Sequence, residues 1–259
     1  MIEATPLPQY LVQRYHGWRA TAFVENRAWY RRLAEDGQRP RAMVIACCDS
    51  RVHVTSIFGA DSGEFFIHRN IANLVPGYAP DGEQHGTSAA VEYAVNTLKV
   101  AHLVVMGHTN CGGVQGCHAM CSGHAPELEE RTSFVGRWMD ILRPGYERVV
   151  TLPAEDQIRA LERQAVVISL ENLMTFPFVK TAVELGELSL HGVLHDIAQG
   201  ALEACVGLPF SADASRFVLC GNPQMIDDTR ALLKQRHMSL SLARRPGAVR
   251  LHGDAERRP

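Results

Sequence analysis

Two short apolar runs, residues 43–46 and 103–106, each stop at side chains suited to coordination. The first is followed by Cys47-Cys48-Asp49-Ser50-Arg51, and the second, after Gly107, by His108-Thr109-Asn110-Cys111. Each run reads as a buried strand. In an open parallel sheet, ligands gather at the carboxyl ends of the strands, so two neighbouring strands bring residues 61 apart in sequence (108 minus 47) side by side. The two segments together offer two soft thiolates, one imidazole and an Asp-Arg pair. That donor set suits a catalytic zinc, which takes Cys sulfur and His nitrogen and keeps a fourth position open.

The glycines around the second cluster fit this reading. Gly107 and Gly112-Gly113 permit a tight strand-to-helix turn that points His108 and Cys111 toward one spot. Cys111 then lies near a helix N-terminus, where the partial positive charge favours a thiolate.

The rest of the chain alternates in the same way. Residues 10–36 read as helical, with Leu11, Tyr15, Trp18 and Phe23 among charged positions, and residues 37–40 break that pattern. Strands follow at 42–47 and 64–68. Residues 87–99 read as a helix capped by Thr87, with Val91, Val95 and Leu98 on one face, and 101–106 as the third strand. Residues 114–143 are mostly helical with an interruption at 123–126. Residues 154–185 are helical through Ile158, Leu161, Val167 and Leu173 and break at Pro177, before a strand at 188–194. The expected fold is therefore α/β, a central mostly parallel β-sheet flanked by helices and joined by right-handed crossovers.

A chain of 259 residues with 46% apolar content can bury one main domain plus an extension. The net charge of -2, with no basic stripe that dominates apart from Arg244-Arg245 and Arg257-Arg258 near the end, argues against a nucleic-acid binder. Seven cysteines, odd in number and unevenly spaced, do not read as a disulfide framework, which makes a reducing cytoplasm the expected compartment. No membrane span or signal-peptide core is read from the sequence.

Four motifs in fixed order resemble the beta-class carbonic anhydrases. They are Cys47-x-Asp49-Ser50-Arg51, Glu64-x-x-x-His68-Arg69-Asn70-x-Ala72-Asn73, Gly107-His108-x-x-Cys111-Gly112-Gly113, and Leu190-His191-Gly192 with Asp196-Ile197. The resemblance spans residues 10–205, and four ordered motifs are far more specific than one zinc-like spacing. It implies a beta-carbonic-anhydrase-like fold in which Cys47, His108 and Cys111 ligate one Zn2+ per chain. Asp49 and Arg51 would then form the catalytic dyad, with carbon dioxide and bicarbonate as substrate and product. It also implies a homodimer or higher homo-oligomer with each cleft at a subunit boundary. Val44 stands where a regulated subgroup of the family has Trp, which implies the constitutively open type.

The same apparatus could act on carbonyl sulfide or carbon disulfide, both small linear electrophiles, or the chain could be a non-catalytic zinc or redox-sensing protein. Cys117-x-x-x-Cys121 with His118 and His124 fits no closed zinc pattern and reads as packing, as do Cys48, Cys205 and Cys220. His68-Arg69-Asn70 reads as an anchor of the cleft. Residues 216–250, with Cys220-Gly221-Asn222-Pro223, resemble the last strand-helix unit of ferredoxin-NADP reductases, yet the flavin motifs and glycine-rich turn are not found upstream. The expected division is a catalytic domain over 1–210 and an extension over 211–259, in which 217–219 adds an edge strand and 227–235 forms a helix.

Overall fold

The computed structural model describes residues 5–82, 85–206, 217–219, 238–242 and 249–253. The helical stretch expected at the start is three pieces, α1 (Gln9–Ala20), α2 (Ala22–Glu25) and α3 (Arg27–Asp36). The breaks fall at Thr21 and Asn26, whose side chains donate to the carbonyls of Gly17 (2.9 Å) and Ala22 (3.0 Å). Such polar side chains compete with the helical backbone for its hydrogen bonds. None of the three helices has a buried residue.

From there strands and helices alternate: β1 (Ala42–Cys47), α4 (Val54–Phe58), β2 (Phe65–Asn70), α5 (His85–Glu92) and β3 (His102–His108). After β3 come α6 (Gly112–Cys121), α7 (Phe134–Met139), α8 (Arg143–Val149), α9 (Ala154–Leu173), α10 (Pro177–Glu184), β4 (Ser189–His195) and β5 (Leu202–Val206). The sheet order is β2-β1-β3-β4-β5. The first three pairings are parallel, as expected, and β5 runs antiparallel to β4 at the edge. That edge strand has no counterpart in the sequence reading. It needs only the short turn at 196–201, because an antiparallel neighbour requires no helical crossover.

Alternate residues of β1 feed opposite cores, Met43 and Ile45 on one face of the sheet and Val44 and Ala46 on the other. This is why β1 reads as an unbroken apolar run. On one face α9 presses on β3 and β4 at two glycines. A methyl group at Gly107 would come within 2.8 Å of Val166 Cγ2, and one at Gly192 within 2.6 Å of Leu170 Cδ1. Gly107 therefore serves close packing inside a strand and not the turn expected of it.

Thr87 is likewise not a helix cap. The helix starts at His85, and the Thr87 hydroxyl, buried, meets His68 Nε2 at 3.0 Å and accepts from Asn70 Nδ2 at 3.3 Å. Its side chain is drawn to β2 instead of back to its own helix. No single helix among the described residues is long and apolar enough to cross a membrane.

Near the C-terminus, β6 (Phe217–Leu219), β7 (Met238–Leu242) and β8 (Val249–Gly253) form a separate antiparallel sheet in the order β6-β8-β7. Residues 217–219 thus pair with β8 and do not extend the central sheet. The helix expected at 227–235 and Cys220 lie outside the described residues.

Candidate metal centre

Parallel pairing of β1 and β3, with Ala46 opposite Met106, releases Cys47 and His108 at the same carboxyl edge. Beyond β3 the chain turns at Asn110, whose φ of 56° is left-handed. Asparagine is among the few non-glycine residues that adopt this conformation readily. Cys111 then becomes the N-cap residue of α6. Gly113 is needed for proximity, since a methyl group there would lie 2.7 Å from Ile71 Cγ2 and 3.0 Å from Ala72 Cβ.

The ligand atoms of Cys47, His108 and Cys111 all lie within 4.8 Å of one another, and all three residues are buried. His108 Nδ1 faces the Thr109 carbonyl at 3.0 Å. A carbonyl only accepts, so Nδ1 carries the proton and Nε2 presents a lone pair. That Nε2 is buried and has no hydrogen-bond partner. The two sulfurs are 3.9 Å apart. At a zinc-sulfur distance of 2.3 Å, tetrahedral geometry separates two thiolates by about 3.8 Å. An orphaned imidazole nitrogen and two correctly spaced sulfurs fit zinc.

The electrostatics point the same way. The Cys47 thiol is drawn down to about 4 by the hydrogen bond from Cys111, which outweighs burial, with the His108 side chain and then the backbone N–H groups of Asp49 and Ala72 adding to the effect. Cys111, facing that thiolate and buried, is pushed up. Metal-free, the pair shares one proton between two sulfurs.

Asp49 stands beside this cluster, its Oδ2 3.9 Å from His108 Nε2. Arg51 grips it in a bidentate fork, Nε to Oδ1 at 2.9 Å and Nη2 to Oδ2 at 2.6 Å, and the Arg51 backbone N–H adds a third bond to Oδ1 at 2.9 Å. These bonds hold the Asp49 carboxyl far below the usual carboxylate range. Arg69 secures the loop from behind. Its Nε donates to the Cys47 carbonyl (2.9 Å) and its Nη2 to the carbonyls of Asp49 (2.7 Å) and Val52 (2.8 Å). The anchoring expected of the 68–70 segment thus resides mainly in Arg69.

The structure brings all five sequence-predicted site residues, Cys47, Asp49, Arg51, His108 and Cys111, to one place. The other cysteine-histidine group does other things. Cys117 and Cys121 face each other at 4.0 Å, His118 Nε2 meets Gln157 at 2.8 Å and His124 Nδ1 meets Ser122 at 2.8 Å. Cys48 is exposed and Cys205 half-buried. Sequence reasoning missed Glu162, whose Oε1 accepts the Cys111 N–H at 3.2 Å. Its signal was present: a lone carboxylate in the buried α9 stripe of Glu162, Val166, Ser169 and Leu173.

Fold and donor set together define a class of site, a two-thiolate, one-imidazole metal centre at the carboxyl edge of a parallel sheet. The model of the family described as carbonic anhydrase matches residues 42–202. The chain is 37% identical over 186 residues to beta carbonic anhydrase 3 of Arabidopsis thaliana, covering 70% of each protein. It is 33% identical over 195 residues to beta carbonic anhydrase 5, chloroplastic, of the same plant, covering 74% of this chain and 62% of that protein. Among solved structures, the beta-carbonic anhydrase CcaA superposes with a TM-score of 0.66 at 30% identity, covering 76% of this chain and 86% of that one. One of two tetrameric beta-carbonic anhydrases from Sordaria macrospora gives 0.64 at 28% identity, covering 78% and 98%. The chain belongs to the carbonic anhydrase family, in its beta class. The family match ends before residues 216–250, where the reductase-like segment was read.

Proposed function

We propose that this chain holds one zinc ion on Cys47, His108 and Cys111 and catalyses the reversible hydration of carbon dioxide to bicarbonate and a proton. The observation that carries this reading is the buried, unpartnered His108 Nε2, flanked by two sulfurs and facing an arginine-held carboxylate.

Zinc held by Cys47, His108 and Cys111 would supply a Lewis acid able to lower the pKa of water from about 15.7 toward about 7. The protein's part is orientation. Asp49 Oδ2, kept ionised by Arg51, only accepts hydrogen bonds, so it would orient a hydrogen-bearing oxygen held before His108 Nε2 with that oxygen's lone pair outward. A bicarbonate oxygen that lacks a hydrogen meets a bare carboxylate instead and is disfavoured, which aids product release. A cleft of about 550 Å3 is lined by Cys48, Asn70, Ile71 and Trp138, of which Cys48 directly follows the ligand Cys47 in sequence. Asp49 is tied to Arg51 and not turned toward the sulfurs, which supports the open type read from Val44.

A homo-oligomer belongs to the same proposal. Tyr10, Tyr15, Trp18, Val24 and Trp29 on α1–α3 are all at least 39% exposed, an apolar surface suited to burial against another copy. The 211–259 segment is proposed to serve assembly, not chemistry.

Stopped-flow carbon dioxide hydration on zinc-quantified protein, from about pH 6.5 to about 9, tests the reading. Fast hydration that rises with pH is the expected result. One zinc per chain without hydration would move the assignment to carbonyl sulfide or carbon disulfide, and absence of zinc would overturn it.

A further inference from the structure

We infer that Glu162 is a positioning residue for the Asp49–Arg51 pair, acting through a single peptide unit, Asn110–Cys111. The inference rests on the role proposed above for that pair.

The N–H of this peptide, from Cys111, donates to Glu162 Oε1 at 3.2 Å. Its carbonyl, from Asn110, accepts from Arg51 Nη2 at 2.9 Å. That same Nη2 holds Asp49 Oδ2 at 2.6 Å. A hydrogen-bond acceptor at the N–H end and a cation at the C=O end polarise a peptide in the same sense, so the two bonds reinforce each other. A continuous chain of hydrogen bonds therefore runs from α9 through the metal-ligand turn to the carboxylate that faces the centre.

Glu162 also borders a cleft of about 340 Å3 with Asn110 and Arg159, but its Oε1 is taken up by the Cys111 N–H. The residue is 3% exposed, in a helix stripe whose other members are packed into the core. Burial raises its pKa, while the N–H groups of Cys111 and Asn110 and the Arg159 charge act the other way. Arg159 Nη1 reaches Glu162 Oε2 only at 3.7 Å and is shared with Asp196 and Glu203, so it does not alone account for a buried carboxylate. The left-handed turn at Asn110 does account for it. That conformation aims the Cys111 N–H at α9 and away from its own helix, and an acceptor must meet it. Without one, the peptide is free to rotate, the Asn110 carbonyl leaves Arg51, and Arg51 holds Asp49 in more than one geometry.

Two variants of the full chain separate the possibilities. Glu162→Met fills the same buried space with no acceptor, and Glu162→Gln keeps an oxygen for the same N–H. Amide hydrogen exchange at Cys111, followed by NMR on zinc-free protein, should quicken about tenfold or more in Glu162→Met and stay within about threefold of wild type in Glu162→Gln. In the zinc-loaded enzyme, Glu162→Met should lower kcat about tenfold to a hundredfold with KM little changed. Placed in an Arg51→Ala background, the same substitution should have almost no further effect. A Cys111 amide indifferent to Glu162→Met overturns the bridge. A kcat loss equally large with and without Arg51 overturns the positioning role and leaves a general packing effect. Wild-type enzyme without hydration activity would refute the parent reading, and the exchange experiment would still decide the bridge.

Discussion

His108 ends β3 and Asp49 lies in the loop after β1, yet His108 Nε2 and Asp49 Oδ2 are 3.9 Å apart with no direct hydrogen bond between them. The gap puts a lone-pair donor and a hydrogen-bond acceptor at the margin of one small volume. The two side chains are fixed from behind by the Thr109 carbonyl and the Arg51 fork, respectively.

Asp49→Ala and Arg51→Ala should therefore keep zinc and lose hydration. Neither residue is among the three ligands, so metal analysis should still return one zinc per chain, while kcat/KM falls about a hundredfold or more. Arg51→Lys should recover little, because a point charge does not reproduce the bidentate hold. Full activity in either alanine variant would remove the dyad from the mechanism.

His68 predicts a pH effect on stability. Burial lowers its pKa from the ordinary 6.5. Above that value the imidazole is neutral in folded and unfolded chains alike and contributes nothing. As pH falls below 6.5, the unfolded chain takes up a proton that the folded one resists, so stability declines toward acid. Glutamine can still bond the Thr87 hydroxyl and does not titrate. Urea midpoints at about pH 8 and about pH 5.5 should differ less in His68→Gln than in wild type. An equal difference in both would clear His68 of any part in acid sensitivity.

Two glycines of α6 should respond oppositely to alanine. At Gly113 the new methyl meets Ile71 and Ala72 at 2.7 and 3.0 Å, and Ala72 is itself held at a φ of 60°, so neither neighbour yields easily. Destabilisation of about 1–3 kcal/mol is expected, with weaker zinc retention because Cys111 caps this helix. At Gly116 nothing lies within 4 Å, and alanine should stabilise by up to about 1 kcal/mol. Thermal melts of the two variants suffice to check the contrast.

Much of this architecture was legible in the residues. The apolar runs located β1 and most of β3, because strands buried on both faces carry no alternation to mislead the eye. The two coordination clusters were readable because they end those strands. What stayed hidden depends on tertiary contact. Thr87 looks like a cap until β2 draws its hydroxyl away, and Gly107 looks like a turn until α9 lies against it. The antiparallel β5 is too short to announce itself. Glu162 escaped because its partner is a backbone N–H 51 residues away, and only the left-handed turn at Asn110 brings the two together.

The shared proton of the sulfur pair yields a calorimetric prediction. With Cys47 drawn down to about 4 and Cys111 pushed up by that thiolate, metal-free protein near neutral pH carries one proton on two sulfurs. The Thr109 carbonyl holds a proton on His108 Nδ1, which leaves Nε2 as the ring atom that would meet zinc. Zinc requires both thiolates and the bare nitrogen, so its binding should expel about one proton from the ligand set. After chelator treatment, zinc titrations in buffers of different ionisation enthalpy measure this number directly. Two protons would mean that the apo ligand set holds a second proton, on Cys47 or on His108, whose pKa is raised because burial is outweighed by its bonds to Cys47 and the Thr109 carbonyl. A count near one would show a centre already half deprotonated before the metal arrives, which lowers the work of binding and predicts zinc affinity that weakens only gradually as pH falls.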